Sequence, residues 1–186
     1  MAAEPIRRRF TTAEYLAMAE SGILGPEDRV ELIEGEIWQM SPIGSRHAST
    51  VTRSARFFTL RLDGRAVVST QNPLHLGDLS EPEPDVAILH FREDDYAENH
   101  PAQGDVFLLL EVADSSLDYD RRIKMKLYSR YGIPEAWLAD LDQSVLEVHR
   151  DPSPQGYQEI LRLHRGDRLS PLAFPDLAIE VAAILG

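Results

Sequence analysis

Two carboxylates stand where an apolar run meets polar chain. Asp85 follows the rigid Pro84 in EPEPDVAILH and opens the run VAILH, and Glu111 interrupts the apolar stretch VFLLLEVA. A carboxylate at such a place must be offset by a cation or by hydrogen-bond donors, because its charge is costly to desolvate. Two that converge suit a hard divalent cation such as Mg²⁺, with Mn²⁺ as the alternative, because such ions take oxygen ligands and keep several waters. Taken singly, each has a plainer reading. Asp85 can be an acidic loop residue before a strand, and Glu111 can pair with an arginine or reach solvent at the strand end. Hydrolysis would also need a group to polarise water or neutralise developing negative charge. Lys124, in DRRIKMKLYSRYG, is the candidate, with Lys126 as its comparison. A solvated helix lysine is the plainer reading of Lys124.

Convergence depends on two strands being neighbours. If DVAILH and DVFLLLEVA pair antiparallel, as consecutive strands often do, the start of the first lies opposite the end of the second. Residues 118–131 then return to helical period, with Ile123, Leu127 and Tyr131 on one face and Gly132 as the stop. Lys124 sits about 100° around the axis from Ile123. That is the flank of the buried stripe, from where a long side chain can bend over the sheet edge toward Glu111.

The rest of the chain reads as mixed layers. Thr11 and Glu14 make a capping box for a short helix that stops near Gly22, and RVELIEGEIWQM reads as a hairpin turning at Glu34-Gly35. Val51, Ala55, Phe58 and Leu62 form the apolar stripe of a helix over 45–62. AVVSTQNPLHL, AWLADL, VLEVHR and YQEILRL read as strands, HFREDDYAENHPAQG as a polar connection, and LAIEVAAIL as a closing strand or helix. Strict βα alternation and a Gly-rich phosphate loop are both missing, which argues against a doubly wound sheet. The expectation is one domain, 1–186, of α/β class with an α+β mixed sheet.

Composition narrows the classes. With no cysteine in 186 residues, disulfides, thiolate zinc sites and cysteine nucleophiles are excluded, and a reducing, cytoplasmic setting fits. MAAEPIRRRF is not followed by a long apolar stretch, so no signal peptide is expected, and the longest apolar runs are too short to span a bilayer. The net charge of −12 argues against a polyanionic partner, yet the basic residues cluster. Five of 19 lie within 46–65 and five within 121–130. These arginines either ring the carboxylates as an approach path for nucleic acid or form solvated helix surface.

PDVAIL, LLLEVADSS and DRRIKMKLYSRYGIPEAWLAD together resemble the Uma-two family of restriction endonucleases, in the PD-(D/E)XK nuclease superfamily. The matching residues are Pro84, Asp85, Glu111, Val112, Asp120, Lys124, Tyr128, Gly132, Ile133, Pro134, Glu135 and Trp137. RVELIEGEIWQMSP followed by His47 looks like the family's opening, with Glu31 and His47 at functional-looking positions. The resemblance covers nearly the whole chain and is most specific over 120–137. It implies a restriction endonuclease-like core with an added N-terminal helix and hairpin, and metal-dependent cleavage of nucleic acid, DNA foremost. Asp85, Glu111 and the Val112 carbonyl would hold Mg²⁺. Glu31 would assist through the metal or its water, and Lys124 would orient or activate the attacking water. His47 either touches a phosphate or only hydrogen-bonds near its helix start. A homodimer is the quaternary form to test.

Two departures accompany the resemblance. Ala113 stands where the superfamily name puts lysine, which makes Lys124 the substitute, and Asp114 adds negative charge beside the site. Pro175-Asp176 repeats the Pro-Asp pair with no matching glutamate strand and is assigned to structure. The competing expectation is a non-catalytic interaction protein that keeps a nuclease fold.

Overall fold

A computed structural model describes residues 6–25 and 27–186. Helix α1 (Thr12–Glu20) starts at the expected capping box, in which the Glu14 amide donates to Thr11 Oγ1 and the Thr11 amide donates to Glu14 Oε2. Strands β1 (Val30–Ile33) and β2 (Glu36–Gln39) form an antiparallel hairpin. Glu34 and Gly35 at its tip have φ of 50° and 81°, the left-handed pair that a two-residue type I′ turn demands. Helix α2 (Ser45–Arg61) buries Val51 and Phe58.

Six strands make the central sheet in chain order: β3 (Ala66–Ser69), β4 (Val86–His90), β5 (Val106–Ala113), β6 (Glu135–Asp140), β7 (Val145–Arg150) and β8 (Glu159–Leu163). Every neighbouring pair is antiparallel except β5 and β6. A parallel pair needs a long crossover. Here it is helical: α3 (Leu117–Tyr119), a π-helical turn over Asp120–Lys124, and α4 (Met125–Arg130). A small pair, β9 (Arg168–Leu169) with β10 (Ile179–Glu180), and α5 (Ala182–Leu185) close the chain. The ending LAIEVAAIL is therefore both strand and helix. No helix among the described residues is long and apolar enough to cross a membrane.

Alternation along the strands divides the core in two. Val86, Ile88, Leu108, Leu110 and Val112 pack with Val51 and Phe58 of α2 and Ile184 of α5. Ala87, Leu89, Leu109 and Ala113 pack with Leu127 and Tyr128 of α4 and Ile33 of the hairpin. The sheet thus lies between an α2 layer and a layer made by α4 and the hairpin.

The crossover departs from the uniform α-helix that the periodicity predicts. Its π turn inserts i→i+5 bonding, which adds a residue to the turn and rotates the helical segment before it relative to the one after it. The inward positions become Asp120, Lys124, Leu127 and Tyr128, at 4%, 4%, 2% and 0% exposure, whereas Ile123 and Tyr131 are only partly buried. Lys124 is an interior residue, not a flank residue. Pro175-Asp176 is structural as expected, its carboxylate held bidentate by Arg65 at 2.9 Å.

Candidate active site

The antiparallel register of β4 and β5 pairs Val86 with Leu110, so one step outward Asp85 stands opposite Glu111. By alternation both side chains share the face of Ala87 and Leu109, toward α4 and the hairpin. Asp85 is fixed by three donors or near neighbours. Val112 N donates to its Oδ2 at 2.9 Å, His47 Nε2 lies 3.0 Å from the same oxygen, and Gln71 Nε2 donates to Oδ1 at 3.2 Å.

Glu31 comes from β1 and is only 1% exposed. Tyr119 donates to its Oε1 at 2.9 Å and the Glu83 amide to its Oε2 at 3.1 Å. Lys124 links the two glutamates. Its Nζ lies 3.2 Å from Glu31 Oε2 and 3.3 Å from Glu111 Oε1, and donates to the Glu83 carbonyl at 3.3 Å. Tyr128 donates a further hydrogen bond to Glu111, and Ser116 donates to Asp120 at 2.5 Å. Five separate segments therefore meet: β1, the start of α2, the entry to β4, the end of β5, and the crossover helix.

Burial sets the charges. It pushes the Glu111 carboxyl well above the ordinary range. For Lys124, burial works to lower the ammonium's pKa, but Glu111, Glu31 and the neighbouring groups outweigh it and hold the pKa well above normal. Burial also raises Asp120 to about 6, against the opposing pull of Lys124. The hydrogen bond to Asp85 raises His47.

These groups open on a cleft of about 490 Å³. Seven carboxylates line it, against Arg29, His47 and Lys124. The expected rim of helix arginines does not form. Arg53 turns to the Ile184 carbonyl, Arg65 to Asp176, Arg121 to Glu147 and Arg130 to Glu34. Arg46 reaches Asp114, a residue of the cleft wall, at 3.1 Å. In a chain of net charge −12, acids close to those helices take up Arg65, Arg121 and Arg130, and a main-chain carbonyl holds Arg53.

The donor set suits a hard cation in kind: Asp85 and Glu111 carboxylate oxygens, with the Val112 carbonyl next in chain. Among the described residues, no three His, Asp or Glu side chains converge as a complete cage. Water would complete the shell, as Mg²⁺ ordinarily requires.

Sequence reasoning does not reach Tyr119, Gln71 or the direct role of Tyr128. Asp120, Lys124 and Tyr128 at steps of four carry a signal for Tyr128, whereas Gln71 sits in a loop and carries none. Glu135, another residue of the resemblance, serves the framework instead. It is fully buried and accepts from Trp137 Nε1 at 3.0 Å, Arg150 Nε at 2.8 Å and the Leu172 amide at 2.7 Å.

The Uma2 family model, described as "Putative restriction endonuclease", matches residues 12–182. This chain belongs to the Uma2 family. A crystal structure described as a putative nuclease belonging to DUF820, from Anabaena variabilis ATCC 29413, is similar over 95% of this chain and 97% of that one. The TM-score is 0.74 at 18% identity, so the two share the fold. No curated protein matches. Membership of this family supports a nuclease function for the chain.

Proposed function

We propose that this Uma2 protein is a metal-dependent endonuclease that hydrolyses phosphodiester bonds of nucleic acid, DNA foremost. The observation that carries the reading is the Lys124 ammonium shared between Glu31 and Glu111, with Asp85 opposite Glu111 at the same sheet end. Asp85, Glu111 and the Val112 carbonyl would hold Mg²⁺, or Mn²⁺ in its place. Such an ion, when bound, acts as a Lewis acid and makes a bound water more acidic.

The protein's own groups have separate tasks. Lys124, kept charged by its two glutamates, orients the attacking water and offsets the negative charge that grows on the phosphoryl oxygens. Glu31 holds Lys124 and would assist through the metal or its water. His47 steadies Asp85 through Nε2, while its Nδ1 is buried and so out of reach of a phosphate in this arrangement.

A cleavage assay tests this, with mixed DNA and RNA substrates in Mg²⁺, Mn²⁺ or EDTA. Cleavage should require the metal and vanish in Asp85→Asn, which should also lose the calorimetric signal of Mn²⁺ binding. Cleavage that persists in EDTA would defeat the metal role. The acidic cleft and the arginines turned into ion pairs favour a second reading, a non-catalytic interaction protein. Wild-type protein that neither cleaves nor binds either ion decides for it.

A further inference from the structure

The carboxylate cleft has one wall of another kind. Register in the hairpin places Trp38 of β2 directly opposite Glu31 of β1, and residues paired this way share a face. Trp38 is half-buried and lines the cleft, as do Met40, Ile43 and Tyr119. Its ring centroid lies 5.2 Å from that of Tyr119, which donates to Glu31 at 2.9 Å. An indole thus stands beside the Glu31–Lys124 pair, and Ile43, at 41% exposure, continues the apolar wall. The chain's other tryptophan, Trp137, is fully buried in the core.

Two further observations limit what can enter. The groups that would do the chemistry are deep, with Asp85, Glu111 and Lys124 all buried. The cleft they line, of about 490 Å³, is the size of a small-molecule site rather than of a groove that seats a double helix. Seven carboxylates also line it, so a long run of phosphates has no cationic track to follow.

Bases offer what the charge withholds. A duplex hides the faces of its bases in the stack, whereas an unpaired base can lay a face on an aromatic ring. We propose that the cleft takes single-stranded nucleic acid, with an unpaired base stacked on Trp38 and the adjoining phosphate presented to Asp85 and Glu111, a reading that rests on the nuclease proposal. Stacking then supplies the affinity that the acidic lining cannot.

The first test uses the wild type alone. Anisotropy in EDTA across a salt series compares a fluorescein-labelled oligothymidylate with its duplex on oligoadenylate. The single strand should bind about 10-fold more tightly than the duplex, the worth of one base–aromatic stack. Its log affinity should fall against log salt with a slope no steeper than about −0.7, that of a single phosphate contact. Unlabelled oligothymidylate should quench the tryptophan emission of the wild type and not that of Trp38→Leu, which comes from Trp137 alone. Trp38→Leu should weaken binding of the single strand about 10-fold, and Trp38→Phe should restore most of it. Phe91→Leu, which removes an exposed ring outside the cleft, should leave binding unchanged.

Duplex bound as tightly as single strand, single strand bound without quenching, or equal losses from Trp38→Leu and Phe91→Leu would each overturn the proposal. A salt slope of several phosphate contacts would overturn it too, because charge would then hold the strand. Cleavage in Mg²⁺ is scored separately. A wild type that cuts duplex and leaves single strands intact defeats this proposal and keeps the nuclease reading. A wild type that stacks single strands on Trp38 but cuts neither form defeats the nuclease reading and leaves the base site standing.

Discussion

Lys124 is a charged side chain at 4% exposure, and its neighbours are two buried glutamates. Methionine there would leave both carboxylates facing each other without a cation. The proposed metal-dependent cleavage should be lost, and stability should fall by about 3–5 kcal/mol, read from the urea midpoint. Lys126 is exposed, and its methionine variant should change stability by less than about 0.5 kcal/mol and weaken substrate binding only mildly. Cleavage that survives Lys124→Met would remove this lysine from the chemistry. The position on a helix flank inferred from spacing implied almost no stability cost, and burial reverses that expectation. Asp85 opposite Glu111 was legible because register follows from two adjacent strands. The tyrosines that hold the carboxylates were not, since a phenol reads as core until its oxygen has a partner.

At the scale of elements, the π turn decides which side chains the crossover presents. Deleting Arg122 should restore α-helical bonding through 117–130 and turn Tyr119 and Asp120 out of phase with Lys124 and Tyr128. The variant should keep its helical circular dichroism yet lose the proposed nuclease activity by about 100-fold, the cost of misplacing its proposed catalytic groups by an ångström or so. Full activity in the deletion would show that the π turn is incidental. Apolar spacing made the helix visible over 118–131 but could not reveal an i→i+5 turn, because the turn's inward residues, Asp120 and Lys124, are charged and lie outside the apolar pattern. The hairpin was easier. Glu34-Gly35 states its own geometry, although nothing local says that β1 will deliver Glu31 to a lysine far along the chain.

The whole molecule carries its excess of acid in part as fixed ion pairs. Glu147 on β7 is one: His149 beside it, against the contrary effect of burial and with help from Arg121, lowers its carboxyl from 4.5 to about 2. A carboxyl depressed in the folded state contributes fully above its unfolded pKa and is lost as pH falls through the folded one. The stability difference between wild type and Glu147→Gln should therefore hold near neutrality and shrink from about pH 5 down to pH 2 in thermal unfolding. A difference independent of pH would assign Glu147 to packing alone. Net charge, the one global number available from sequence, pointed away from nucleic acid. It could not show that seven carboxylates gather in one cleft while Arg65, Arg121 and Arg130 pair with acids elsewhere.

Strand order in the central sheet repeats chain order without exception, β3 through β8. A growing chain can therefore lay each strand against the one just made, with no edge held open for a later insertion. Glu31 is the outlier, synthesised long before Lys124 and buried only once the crossover helix has docked. The carboxylate cluster is thus completed late in biosynthesis, and an incomplete chain holds the acids of this site without their lysine.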